Sequence, residues 1–104
     1  MIRFHYSRDP LCLYTRGHAR SGDKGNDLIC AGVSALVLAL REELLYLEGR
    51  GDLHLRSLRL EPGDAELLWE PAPGREEAAA AAFDTVLRGL RLLERLFGEY
   101  VQVL

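Results

Sequence analysis

Cysteine is nearly absent: Cys12 and Cys30 are the only two in 104 residues. A chain with this many core leucines does not need a one-disulfide framework, and in a reducing compartment both thiols are expected to stay reduced. An excess of positive charge is missing too. Thirteen Lys and Arg against sixteen Asp and Glu give a formal net charge of −3, which offers a nucleic-acid backbone no basic footprint. No apolar run is long enough for a bilayer: the longest, Leu28 to Leu40, is interrupted by Gly32 and Ser34 and falls short of the roughly 20 residues a membrane span needs. Met1 to Tyr6 lacks the basic stretch, hydrophobic block and small-residue cleavage site of a secretory signal, so a cytoplasmic location is expected. His5 and His54 sit apart from any Cys or carboxylate cluster at metal-ligand spacing, and neither a metal nor another cofactor is expected.

What is present suits one soluble globular domain. Apolar residues make up 48% of the chain, with charges of both signs mixed among them. That composition can bury a shared core, and nothing resembling a linker, repeat or low-complexity tract divides it. Ile2, Phe4 and Tyr6 alternate with polar residues as in a strand, and Asp9-Pro10 turns the chain into a second strand ending at Gly17-His18. From His18 to Asp27, Gly22 and Gly25 among Ser21, Asp23, Lys24 and Asn26 favour a loop. Asn26 or Asp27 then caps a helix running to about Glu48, apolar nearly all round in its first half. Leu53 to Leu60 reads as a strand whose alternation slips at Ser57, as at a bulge. Glu61-Pro62-Gly63-Asp64 turns it into a fourth strand, Ala65 to Glu70. A second long helix, from Arg75 to Gly98, places Ala79, Phe83, Val86, Leu90, Leu93 and Phe97 on one stripe. Tyr100 to Val103 adds a short last strand. The order predicts an α+β two-layer sandwich, with one sheet covered by two long helices.

Two residues in this plan carry the chemistry. Cys30 falls about three residues into the first helix, where unpaired amides and the helix dipole favour a thiolate. His18 stands at a strand end and is joined to it by a Gly-bearing loop that can fold back. In such a pair the imidazole takes the thiol proton, the thiolate attacks a carbonyl, and the imidazolium protonates the leaving amine. The helix amides would hold the oxyanion. On composition alone the plainer reading of Cys30 is the stronger one, because a cysteine early in an apolar helix is more often a small core residue. Cys12, on a strand, has only that plainer reading.

The weights change with Gly17-His18-Ala19 followed by Gly25-Asn26-Asp27-Leu28-Ile29-Cys30-Ala31-Gly32-Val33-Ser34-Ala35-Leu36. This pair of strings closely resembles the ribosomal-processing cysteine protease family Prp. That family shows a Gly-His-Ala at a strand end and, after a short loop, a Gly-x-Asp-(Ile/Leu)-(Val/Ile)-Cys-Ala-(Ala/Gly)-x-Ser-Ala run opening a helix; the spacing from His18 to Cys30 matches as well. The loop departs from the family's pattern at Arg20, Ser21, Asp23 and Lys24, where an aromatic or small apolar residue is frequent.

The resemblance implies Cys30 as nucleophile and His18 as general base and acid, with Gly17, Asp27 and Ser34 in support. Asp27 is read equally as a helix cap and as a partner orienting His18. Ser34, four residues after Cys30 on the same face, is read first as bonding back to the carbonyl of Cys30. The resemblance further implies a peptide substrate, namely the precursor of the large-subunit ribosomal protein that is twenty-seventh in its series. A short amino-terminal extension would be removed from it after an aromatic pair. A homodimer is implied too, and the all-round apolar helix accords with burial beyond one subunit. The loop carrying Ala19, Gly22 and Gly25 is expected to order around bound peptide. Two rivals remain: a ribosomal-protein binding module that does not cleave, and a thiol redox protein, which lacks a Cys-x-x-Cys partner.

Overall fold

The computed structural model describes residues 1–17 and 28–104. Five strands and two helices follow in the order β1 (Ile2–Arg8), β2 (Leu11–Arg16), α1 (Leu28–Gly49), β3 (Leu53–Glu61), β4 (Asp64–Pro71), α2 (Glu76–Leu96) and β5 (Val101–Val103). They form the expected α+β sandwich. The sheet runs β3-β4-β2-β1-β5; β1 and β5 pair in parallel, and the remaining pairs are antiparallel.

Side chains alternate across the sheet because successive Cβ atoms point to opposite faces. Ile2, Phe4, Leu11, Leu13, Leu67 and Trp69 are buried on the helix-covered side. The other side carries charged and polar residues, among them the pairs His5↔Tyr14 and Arg16↔Asp64. On β3 the expected slip is a bulge. Leu55 pairs with Trp69 and Ser57 with Leu68, leaving Arg56 as the extra residue. Without that insertion, period 2 would send Leu58 and Leu60 to the opposite face from Leu53 and Leu55. With it, Leu55, Leu58 and Leu60 all pack against the core.

Both helices lie on the apolar face of the sheet and run antiparallel to each other. Gly89 lets them approach: a Cβ there would meet the two terminal methyl carbons of Leu36 at 3.0 Å. Helix α2 buries Ala79, Phe83, Val86, Leu87 and Leu90. It is pinned to the sheet by Trp69, whose Nε1–H donates to the Ala79 carbonyl at 3.2 Å and whose ring tilts against Phe83 at 5.8 Å. Phe97, placed by its spacing on the buried stripe, instead follows the last helical residue and is 39% exposed. Its N–H closes the final turn on the Leu93 carbonyl at 2.7 Å, after which the backbone leaves helical geometry.

Helix α1 buries Ile29, Val33, Val37, Leu40, Leu44 and Leu47. Part of its remaining apolar content faces outward, with Leu28 83% and Leu38 48% exposed, while Cys30 and Leu36 pack against the core. The cap expected from Asn26 or Asp27 lies outside the described residues.

Candidate active site

Strand β2 delivers the chain to Gly17, and the backbone there is fixed from two sides. Its N–H donates to the Gly63 carbonyl in the β3–β4 turn at 2.8 Å, and its φ is +103°, a conformation L side chains rarely adopt. A Cβ at this position would drive into the carbonyl oxygen of Met1. This backbone therefore requires glycine at position 17. The residue after it, His18, lies outside the described residues, as do Ala19, Gly22, Gly25 and Asp27, together with the expected ordering of their loop.

Cys30 stands in the first turn of α1, half-buried and packed against the core cluster. The first amides of a helix have no acceptor within the helix itself. Cys30 also lines a cleft of about 380 Å³. One wall of the cleft is α1, with Cys30, Ser34 and Leu38; the facing wall is the β3–β4 hairpin, with Leu60, Pro62 and Asp64; Thr15 and Gly17 line it from β2. Gly17 and Cys30, far apart in the chain's secondary structure, thus share one cavity. Ser34 is exposed there.

Sequence reading missed the hairpin wall. Its turn was legible, but nothing in Glu61-Pro62-Gly63-Asp64 announces docking against Gly17. Within the hairpin, Arg59 donates to Asp64 Oδ2 at 2.7 Å, and this bond holds the Asp64 carboxyl below its ordinary range. Asp64 Oδ1 is buried without a hydrogen-bond partner among the described residues.

Cys12 is placed differently. It alternates with buried Leu11 and Leu13 and so faces the other side of the sheet, opposite Ser7 and Leu68. Burial, reinforced by the charge of Glu66, pushes its thiol up and holds it protonated. A second depression of about 480 Å³ between the helices is lined by Ala39, Ala78, Ala82 and Thr85 and contains no thiol. No group of three or more His, Cys, Asp or Glu among the described residues is placed to hold a metal ion. No helix of the described residues is long and apolar enough to cross a membrane.

A half-buried thiol in the first turn of a helix lines a cleft on a five-stranded sheet under two helices, and known proteins share this fold. One is the essential ribosomal processing protease Prp from S. aureus with a covalently linked product peptide, at 19% identity and a TM-score of 0.71 over 98% of this chain and 94% of that one. The same S. aureus protease with a substrate peptide gives 19% and 0.68, over 100% and 98%. SMU.848 from Streptococcus mutans gives 26% and 0.68, over 98% and 89%. The chain belongs to the family "Cysteine protease Prp", whose sequence profile matches residues 1–102, and it is a cysteine protease. No curated protein sequence matches it significantly.

Proposed function

We propose that this protease removes the amino-terminal extension of the large-subunit ribosomal protein twenty-seventh in its series, cutting after an aromatic pair, with Cys30 as nucleophile and His18 as base and acid. The observation that carries this reading is the shared cleft of Cys30 and Gly17, because Gly17 immediately precedes His18. The S. aureus protein, a ribosomal processing protease solved with substrate and product peptides, supports the substrate class.

In the proposed reaction, His18 takes the proton of Cys30 Sγ and the sulfur attacks the scissile carbonyl carbon. First-turn amides of α1 stabilise the oxyanion. Collapse breaks the C–N bond, the imidazolium protonates the leaving amine, and water hydrolyses the thioester to free the acid. Gly17 sets the backbone leading to His18, while Asp27 and Ser34 support the pair. The working protein is proposed to be a homodimer, a reading supported by outward-facing Leu45 and Tyr46 on α1.

The test is incubation of the parent, Cys30→Ala and His18→Ala proteins with a peptide spanning the extended ribosomal amino terminus, read by mass spectrometry. The parent is expected to release one fragment after the aromatic pair, and each variant to lose roughly three orders of magnitude in rate or more. Binding of the peptide by all three without cleavage would leave a binding module and overturn the assignment of this substrate.

A further inference from the structure

A sheet is open at its two outer strands, where every second backbone N–H and C=O points away from the neighbouring strand and can pair with another chain. Here those strands are β3 and β5. At each of them a glutamate reaching from the helix layer takes an outward N–H. Glu48 of α1 accepts from the Leu55 N–H at 2.8 Å, and Glu94 of α2 accepts from the Val103 N–H at 2.7 Å. On β5, Leu104 donates inward to the Phe4 carbonyl at 2.8 Å, so its neighbour Val103 donates outward; Val101, the other outward donor of this short strand, gives its N–H to the Phe97 carbonyl at 3.1 Å. On β3, Leu55 is followed at once by the bulge at Arg56, which bends the edge and breaks its repeat. The helices by themselves account for neither glutamate. Both stand in a final turn, Glu48 in α1 and Glu94 in α2, where the carbonyl end of the helix dipole disfavours a carboxylate.

We infer that Glu48 and Glu94 are gatekeepers, which close the two edges of the sheet to strand addition by a second copy of this chain. The edge most in need of closing is β3. It is nine residues long, and Leu53, Leu55, Leu58 and Leu60 all belong to the core side, so two such edges laid together would extend one apolar face across both molecules. An added strand presents carbonyl oxygens to the outward N–H groups. At Leu55 and Val103 it has to displace a charge-assisted hydrogen bond and bring its carbonyl oxygen against a carboxylate, which repels it.

Glu48→Ala and Glu94→Ala, singly and together, are compared with the parent, with the Gln variants at both positions, and with Leu44→Ala, which empties core volume and leaves both glutamates in place. Amide hydrogen exchange is read residue by residue by NMR. It is expected to accelerate about tenfold or more at Leu55 in Glu48→Ala and at Val103 in Glu94→Ala. Glutamine, which keeps a neutral acceptor oxygen, is expected to restore most of that protection. Sedimentation velocity over a range of concentrations follows association. The double alanine variant, checked for its fold by near-ultraviolet circular dichroism, is expected to form species larger than the parent's own assembly and to bind thioflavin T, while Leu44→Ala does neither. If the double variant does not fold, the single variants carry both readouts. Exchange at Leu55 and Val103 as slow in the alanine variants as in the parent, or association no greater than that of Leu44→Ala, would overturn the gatekeeper role.

Discussion

At Gly17, one hydrogen atom in place of a side chain decides whether the chain can leave β2 toward the site. The φ of +103° and the Met1 carbonyl both exclude a Cβ. Gly17→Ala is therefore expected to lose about 1–3 kcal/mol of stability, the usual scale of backbone strain in a sparsely populated region. Urea denaturation measures that loss, and the rate of peptide cleavage should fall further than stability alone explains, because the strand end leading to His18 moves. The two thiols differ for equally local reasons. Cys12 is held protonated first by burial and then by Glu66. In a Cys30→Ala background, iodoacetamide should therefore modify the remaining thiol of the folded protein at pH 8 more slowly than a cysteine peptide. Glu66→Gln removes the charge that raises the Cys12 thiol and should speed the reaction; an unchanged rate would show that burial acts alone.

Among the elements, the β3–β4 hairpin forms the cleft wall facing α1, and Arg59 gathers the carboxylates around its turn. Arg59 lies within ion-pair distance of Glu61, Asp64 and Glu66 at 3.9, 2.7 and 3.5 Å. Its hydrogen bond lowers the Asp64 carboxyl from an ordinary value of 3.8. A carboxylate lowered on folding contributes stability that is present above its unfolded value and lost as pH falls through the folded one. Urea midpoints should therefore drop more steeply below about pH 4 in the parent than in Arg59→Ala, which has already given up the pair at neutral pH. Parallel profiles for the two proteins would assign the acid sensitivity elsewhere. The bulge at Arg56 belongs to this scale too, since one extra residue keeps Leu58 and Leu60 on the core side.

For the whole molecule, α1 buries one stripe in the sandwich and turns Leu45 and Tyr46 outward, 37% and 58% exposed. If the proposed homodimer uses this surface, sedimentation equilibrium should give twice the chain mass for the parent, and Tyr46→Glu with Leu45→Glu should return it to the monomer mass. A parent that sediments as a monomer at all concentrations would refute the dimer.

Periodicity by itself determined much of this protein. The alternation of Ile2, Phe4, Leu11 and Leu13, and the three- and four-residue spacing from Ala79 to Leu90, can each bury a single face in only one kind of element, so element order and layer class were readable. The slip at Ser57 was equally legible, because period 2 cannot absorb an extra residue without a bulge. Cys30 stood out through motif and helix position, both local properties. Docking of the β3–β4 turn on Gly17 and the shared cleft of Gly17 and Cys30 were decided only in three dimensions. So was the outward turn of Leu38. These depend on contacts between segments far apart in the chain, for which no repeating pattern of residues stands as a sign.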